Sequence, residues 1–134
     1  MIDNLDIKNC VYVIRCPSHK KGLYKIGCTS DLKRRLAELY NTSTPEEFEI
    51  LAVIQTNKYK EFEDLLHTYF QGCRVNPRRE FFNFCDIFGR NYIKSNLKKI
   101  KELSDCVNAK FYDENYFKNK PAKIKVIGLE DFFE

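Results

Sequence analysis

The sequence predicts an α+β fold in which a small, mostly antiparallel three-stranded sheet is flanked by helices and followed by a basic helical C-terminal extension. Two apolar segments, Val11–Cys16 and Leu23–Cys28, are separated by a short stretch that contains Pro and Gly, which is typical of a β-hairpin. A third apolar run, Phe48–Gln55, has the length and composition of a buried strand. The remaining apolar residues recur mainly at helical spacing.

Three helices are predicted from that spacing. The first runs from Asp31 to about Tyr40, after a Thr-Ser pair that can cap it. The second follows Asn57 and continues to about Phe70, and the third spans roughly Asp86–Ser104. Residues 106–134 give shorter patterns. In that stretch Phe111-Tyr112 and Tyr116-Phe117 are strand-like, and Lys123–Ile127 is a candidate final strand.

Length and charge divide the chain. A chain of 134 residues with 43% hydrophobic content supports one core, whereas two independent domains would each be marginal. We therefore predict a core at residues 9–85 and an extension at residues 86–134 that packs on it. From Arg90 to Lys125 there are ten basic and four acidic residues, a net +6, so the total of +4 leaves −2 for the rest. The extension is where a polyanionic partner is expected.

The cysteines indicate a reducing compartment. There are six, none in a Cys-x-x-Cys pair, and the sequence shows no secretory or membrane-spanning segment. We therefore expect an intracellular protein, in cytoplasm or nucleus, with reduced thiols and no membrane partner. Cys16 and His19 have the spacing of half a zinc site, but no second half is present at compact spacing, so free cysteines are the favoured interpretation.

Polar groups at the borders of the apolar helix faces are the candidate site residues. Arg35 lies about 60° from Leu32 around the first helix, whereas Arg34 points to solvent. Arg35 is therefore positioned to enter a cleft, the alternative being an arginine that extends over the core and pairs with an acid. On the second helix Glu63 and His67 lie one turn apart at the edge of the apolar face. The alternatives there are a Glu63–Arg35 salt bridge and a histidine that is satisfied structurally.

The order of these groups resembles a known family. The candidate groups occur in a fixed order along the chain. The first strand contains Val11-Tyr12-Val13, the second contains Tyr24-Lys25-Ile26-Gly27, and the helix after it carries Arg34-Arg35. Glu63 to His67 and Arg79-Glu80-Phe81-Phe82 follow. This order resembles the GIY-YIG nuclease superfamily, and in particular its phage and viral branch, over roughly residues 9–85. The resemblance implies the three-stranded sheet, a nucleic-acid partner with DNA favoured over RNA, and Mg²⁺ or Mn²⁺ as cofactor.

The resemblance also implies roles for four residues. Tyr12 would be the general base toward an attacking water, and Glu63 would bind the metal ion. Lys25 would supply positive charge beside the phenol, whose ordinary pKa near 10 makes it a poor base. Arg35, eight residues after Gly27, would stabilise charge on the phosphoryl oxygens.

The sequence departs from the family pattern at several positions. Lys25 stands where the second motif has a tyrosine, and Leu39 stands where a histidine or tyrosine is usual, so Tyr40 is a candidate substitute. Asn83 is the nearest counterpart of the closing asparagine. Glu80 is expected to position Lys25 or help hold the metal, the alternative being an ion pair with Arg78 or Arg79. His67 completes the candidate catalytic set.

The sequence thus predicts a metal-dependent endonuclease, with a non-cleaving nucleic-acid-binding module as the alternative and a domain that retains only the fold as a third interpretation. Lys94, Lys98 and Lys101 recur at i, i+4 and i+7 on the third helix. They are either a solvated face or a clamp on the nucleic-acid backbone that carries no base specificity.

Overall fold

The structure is a computed structural model that describes residues 5–15, 21–42, 49–76 and 78–118. In chain order its strands and helices are β1 (Lys8–Arg15), β2 (Leu23–Asp31), α1 (Leu32–Thr42), β3 (Glu49–Gln55), α2 (Tyr59–Tyr69), a 3₁₀ turn (Gln71–Cys73), β4 (Phe81–Asn83), α3 (Ile93–Cys106), β5 (Lys110–Asp113) and α4 (Glu114–Lys118). Within these ranges, no helix has the length and apolar character needed to cross a bilayer. The zinc half-motif of Cys16 and His19 and the candidate strand Lys123–Ile127 lie outside the described residues.

The sheet has five strands in the order β4-β2-β1-β3-β5, and every neighbouring pair is antiparallel. The prediction of a three-stranded sheet is therefore wrong, although the α+β class holds. The two additional strands are the edge strands, of three residues in β4 and four in β5. Phe111-Tyr112 was predicted to be strand-like and lies in β5, but segments this short do not show by themselves that they join the sheet.

Helices cover both faces of this sheet because its central strands alternate. Tyr12 and Ile14 of β1 point into one core, and Val11 and Val13 point into the other. The first core also contains apolar residues of α1 and α4, among them Leu32, Leu36, Leu39 and Phe117. The second contains Phe62 and Leu66 of α2, Phe70 directly after α2, and Ile100 of α3.

Two predicted elements differ from the structure because a side chain caps the backbone. Helix α3 begins at Ile93 and not at Asp86, since Asp86 Oδ1 accepts the backbone N–H groups of Phe88 and Arg90, both at 2.9 Å, and folds residues 86–90 into a turn. Tyr116-Phe117 is helical rather than extended because Asp113 Oδ1 accepts the N–H of Tyr116 at 3.1 Å and caps α4.

The outer edge of β2 is only partly covered. Strand β4 pairs with Leu23, Tyr24 and Lys25, and the ladder ends there. At Ile26 the backbone N–H donates to the carbonyl of Glu80 at 3.0 Å, and the Ile26 carbonyl accepts a hydrogen bond from His67 Nε2 at 2.9 Å. We call the stretch Ile26–Cys28 the open edge of β2. Side chains from both faces of the sheet can meet at this edge.

Candidate nucleic-acid processing site

The first component of the site is the close approach of Tyr12 to Gly27, its partner in the β1–β2 ladder. A Cβ placed on Gly27 would lie 2.5 Å from the Tyr12 hydroxyl oxygen and 3.0 Å from Glu80 Oε1. The first distance is shorter than real Cβ atoms show, and the second would require the end of the Glu80 side chain to shift by a few tenths of an ångström. Glycine at this position therefore lets the phenol lie across β2, so that its hydroxyl and the Glu80 carboxylate reach the open edge together.

Arg35 extends from α1 to the same phenol. Its Nε donates to the Tyr12 hydroxyl at 3.4 Å, and its Nη1 donates to Glu38 Oε1 at 3.3 Å. The Arg35 side chain is 37% exposed, so its guanidinium spans from the buried hydroxyl to solvent. The neighbouring Arg34 is 60% exposed and interacts with Ser30 and Glu38, away from the phenol.

The environment of Tyr12 keeps its hydroxyl protonated. Burial raises the pKa of Tyr12 to about 12, and the negative charges of Glu80 and Glu63 add to this rise. The hydrogen bond from Arg35 and its positive charge act in the opposite direction and only partly offset the burial. At neutral pH the phenol is therefore neutral.

Lys25 and Glu80 form the second component. Lys25 Nζ lies 3.2 Å from Glu80 Oε1 and 5.2 Å from the centre of the Phe81 ring. Of the two partners considered for Glu80, the structure favours Lys25 over the arginines that precede it. Tyr24 points to the opposite face, where it is buried and its hydroxyl accepts a hydrogen bond from Asn91 at 2.8 Å.

Glu63 of α2 is the third component. Its side chain is 13% exposed, and its Oε2 is buried and has no hydrogen-bond partner among the described residues. Burial, with the negative charge of Glu80, raises the pKa of Glu63, while His67 and a hydrogen bond from the Cys28 thiol lower it. An ionisable oxygen buried in this way is satisfied either by a proton or by a cation.

His67 lies one turn after Glu63, with its Nε2 3.9 Å from Glu63 Oε2. Because Nε2 contacts the Ile26 carbonyl at 2.9 Å and a carbonyl can only accept, Nε2 carries the hydrogen. The ring also packs on Phe82, with centroids 5.2 Å apart. His67 therefore joins α2 to the open edge of β2 and holds the backbone there.

The structure does not bring all the candidate residues to this edge. Asn83 is at the opposite end of β4, where its Oδ1 accepts the N–H of Cys85 at 2.9 Å. The side chain of Tyr40 lies outside the described residues. Lys94, Lys98 and Lys101 are exposed on α3, and Lys101 pairs with Asp105 at 3.5 Å.

Cys28 was missed as a site residue. It follows Tyr24 and Ile26 at period two along β2, so its side chain points toward α2 and donates a hydrogen bond to the Glu63 carboxylate. Burial and the charge of Glu63 raise the pKa of the Cys28 thiol to about 12. The alternation of β2 was the signal that could have placed it beside Glu63.

Comparison with known proteins shows the family. Residues 9–109, most of the chain, match the family model described as the T5orf172 domain. The chain belongs to the T5orf172 domain family. This phage-associated family is distinct from the GIY-YIG superfamily, so the resemblance to GIY-YIG nucleases is wrong. The resemblance depended on motifs of three or four residues, and Lys25 and Cys10-Val11 already departed from them.

A viral protein is also similar. Over 123 residues, the chain is 32% identical to the uncharacterized protein 460R of Invertebrate iridescent virus 6. This alignment covers 90% of the chain and 48% of the viral protein. The chain thus spans about half the length of this relative. No solved structure matches this chain. T5orf172 domains are phage and viral domains that are often linked to nuclease or DNA-binding function, which supports the coarser prediction of a viral, DNA-related domain.

Proposed function

We propose that this T5orf172 domain is a divalent-metal-dependent endonuclease that hydrolyses phosphodiester bonds, with DNA as its substrate. The observation that carries the proposal is Glu63 Oε2, which is buried at the open edge of β2 and has no hydrogen-bond partner among the described residues. Burial raises the pKa of Glu63, and the negative charge of the nearby Glu80 raises it further. Two carboxylates that repel each other in a partly buried place are stabilised by a cation between them.

The residues present fit Mg²⁺ or Mn²⁺. These ions prefer oxygen ligands, and Mg²⁺ commonly binds through one or two carboxylates while keeping several waters. Glu63 would hold the ion, with Glu80 as the second carboxylate. Within the described ranges no group of three or more His, Cys, Asp and Glu side chains could enclose a metal, which argues against a site made only of protein ligands. Such an ion would polarise a phosphoryl oxygen and activate water.

Arg35 and Lys25 would bind the substrate phosphate. The exposed end of the Arg35 guanidinium can donate to non-bridging phosphoryl oxygens while its Nε stays on Tyr12. Lys25 lies against Glu80 and is 15% exposed, so its ammonium is held in place rather than free in solvent. Preorganised donors of this kind stabilise charge that develops during hydrolysis.

Tyr12 would act on the attacking water, and its protonation depends on its neighbours. With a pKa of about 12, only about one phenol in 10⁵ is ionised at neutral pH. Burial is the main cause of this raised pKa, and the charges of Glu63 and Glu80 add to it, so neutralising the two carboxylates would lower the pKa of Tyr12. His67 would be a positioning residue, since its Nε2–H is already used on the Ile26 carbonyl.

The basic side of α3 would hold the nucleic-acid backbone. Lys94 and Lys98 are exposed and form no ion pair with any residue that the structure describes. In this proposal the predicted extension, residues 86–134, adds phosphate contacts to the core at residues 9–85. Such contacts strengthen binding without reading sequence.

A second candidate function is a DNA-binding domain that does not cleave. The observation that favours it is the pKa of about 12 for Tyr12, which leaves the proposed base almost entirely neutral. In this case Arg35 and Lys25 would bind phosphate and the reaction would not follow.

Cleavage assays with matched variants test the proposal. Duplex, branched and single-stranded DNA, and RNA as a comparison, are incubated with Mg²⁺ or Mn²⁺ and with wild type, Glu63→Gln, Arg35→Ala or Arg34→Ala. We expect Glu63→Gln to abolish cleavage while binding persists, and Arg35→Ala to slow cleavage roughly 10²- to 10³-fold. Arg34→Ala is the control, since this neighbouring arginine points away. Binding by the wild type without cleavage under any divalent ion would favour the second candidate.

A further inference from the structure

Two large apolar side chains lie exposed at the tip of the turn between β4 and α3. Ile87 is 92% exposed and Phe88 is 76% exposed. Single exposed apolar residues are ordinary on protein surfaces, but two adjacent ones at the tip of an ordered turn are not explained by packing. We call these two residues the apolar tip.

Hydrogen bonds to the Asp86 carboxylate stabilise the turn that carries the apolar tip. The Asp86 carboxylate accepts the backbone N–H groups of Phe88 and Arg90 at 2.9 Å, Arg90 Nε at 2.7 Å and the Tyr92 hydroxyl at 3.2 Å. The Arg90 guanidinium also lies 5.4 Å from the centre of the Phe88 ring. A tip held in one conformation loses little entropy when it binds, so the turn is built to present these side chains.

The surroundings of the tip are positively charged. Residues 85–101 contain five basic residues and one acid, Asp86, which gives a net +4. Asp86 is itself paired with Arg90. Lys94 and Lys98 follow on α3, both exposed and without an ion-pair partner among the residues that the structure describes. A polyanion is therefore the partner that this surface attracts.

The apolar area of the tip distinguishes a nucleic-acid partner from a protein partner. A large aromatic side chain buries about 150–250 Å², so the pair offers roughly 500 Å² at most. A stable protein interface needs about 800 Å² from each partner. One or two apolar side chains flanked by basic residues are instead what proteins insert between base steps.

We propose that Ile87 and Phe88 form a wedge that enters between stacked bases of the bound DNA, while Arg90, Lys94 and Lys98 hold the flanking phosphates. This inference rests on the proposed function, because it takes DNA as the ligand. It adds a second contact point, at which the duplex is unstacked.

The wedge lies apart from the candidate site. Glu80 precedes β4 at the open edge of β2, and the chain leaves the other end of β4 toward Asp86. The four residue steps from Glu80 to Phe84 span roughly 13 Å, or about four base pairs of duplex. Unstacking is therefore expected several base pairs from the scissile phosphate, and changes at the tip leave Tyr12, Arg35 and Glu63 in place.

The test compares Ile87→Ser/Phe88→Ser with Val107→Ser, which removes an exposed apolar side chain at the far end of α3. Both variants use the full chain, and affinity for a labelled duplex is measured by fluorescence anisotropy with a chelator present. Thymine reactivity toward permanganate reports unstacking in the same complex. We expect wild type and Val107→Ser to create reactive thymines. The double variant should lose them and bind about 5- to 150-fold more weakly, the range for one lost stacking contact. Its salt dependence should not change, because no charge is removed.

Three results would overturn the wedge. If wild type and the double variant bind equally and give the same thymine reactivity, the tip does not contact bases, while the proposed cleavage activity still stands. If wild type binds no nucleic acid at all, the wedge and the proposed function fail together. If wild type self-associates in analytical ultracentrifugation and the double variant does not, at equal DNA affinity, the tip is covered by a second copy of the chain.

Discussion

Gly27 lies directly under the Tyr12 phenol, and a side chain there would come within 2.5 Å of its hydroxyl oxygen and 2.6 Å of the ring carbon Cζ. The missing Cβ is therefore a structural requirement of the site and not a matter of backbone freedom. Gly27 of the sheet therefore determines where the hydroxyl of Tyr12, the candidate base, lies.

The first prediction follows from that contact. Gly27→Ala should destabilise the protein by about 1–3 kcal/mol, since the buried ring must shift, and it should abolish cleavage by displacing Tyr12. Urea unfolding measures the stability. Gly72→Ala is the control, because a Cβ at Gly72 meets nothing within 4 Å. Equal unfolding midpoints for the two variants would mean that Tyr12 is not held against Gly27.

The second prediction concerns the pH dependence of Glu63. Because its folded pKa is raised above the ordinary value of 4.5, the unfolded chain releases this proton first, and wild-type stability should fall as pH rises from about 4.5 toward the folded pKa. Glu63→Gln should lack this decrease and be at least as stable as wild type at neutral pH. The difference between the two stability curves reports the charge of Glu63 together with its effect on the groups around it, because every other residue is the same in both proteins.

The third prediction concerns stabilisation of the folded protein by a metal ion bound to Glu63. Mg²⁺ or Mn²⁺ should raise the unfolding free energy of wild type by about 2.7 kcal/mol at a hundredfold excess over Kd, and should leave Glu63→Gln unchanged. Thermal unfolding with and without the ion gives the result independently of any cleavage. An equal shift in both proteins would place the ion elsewhere.

The fourth prediction concerns Tyr12 at alkaline pH. Its pKa rises from 10.0 to about 12 on folding, so the unfolded chain ionises first and wild-type stability should fall between about pH 10 and pH 12. Tyr12→Phe should remove this part of the decrease, on the order of 2 kcal/mol, and change stability at neutral pH by about 1 kcal/mol or less. Chemical unfolding of both proteins across this range is the measurement. Parallel curves would mean that the hydroxyl is solvated.

The fifth prediction concerns thiol reactivity. Cys106 is exposed, whereas burial raises the pKa of Cys10 and Cys28 to about 12, so iodoacetamide at mildly alkaline pH should modify Cys106 first and those two last. Glu63→Gln should speed modification of Cys28 and leave Cys10 unchanged, because only Cys28 has its pKa raised by the Glu63 carboxylate. Mass spectrometry of timed digests gives the rates. Equal acceleration of both would indicate general loosening instead.

Alternation and helical projection predicted much of what surrounds the open edge. Because neighbouring side chains of a strand alternate, Tyr24 and Lys25 of the predicted second strand must lie on opposite faces, and the structure has Tyr24 in a core and Lys25 beside Glu80. Helical projection set Arg35 at the border of α1 and Arg34 in solvent, which is where they lie. Regular spacing carries this information because a side chain's direction follows from its place in the repeat.

Features that depend on partners distant in the sequence were not predictable. The Lys25–Glu80 pair joins residues 55 positions apart, and Glu80 had neighbouring arginines as equally plausible partners. Strands β4 and β5 join the sheet because β2 and β3 offer them an edge, and segments of three and four residues do not reveal that pairing by themselves. The Asp86 turn replaced the first turns of a predicted helix because one carboxylate satisfied several donors.

The two short edge strands have a consequence for behaviour at high concentration. Within the described residues, β4 and β5 form the borders of the sheet with three and four residues. A long, flat border is a template on which a strand from another molecule can add, and borders this brief offer few backbone groups for such growth. At the open edge, the Ile26 N–H and carbonyl are already bonded to Glu80 and His67. The pairs that shape the site therefore also protect the chain from aggregation through its sheet.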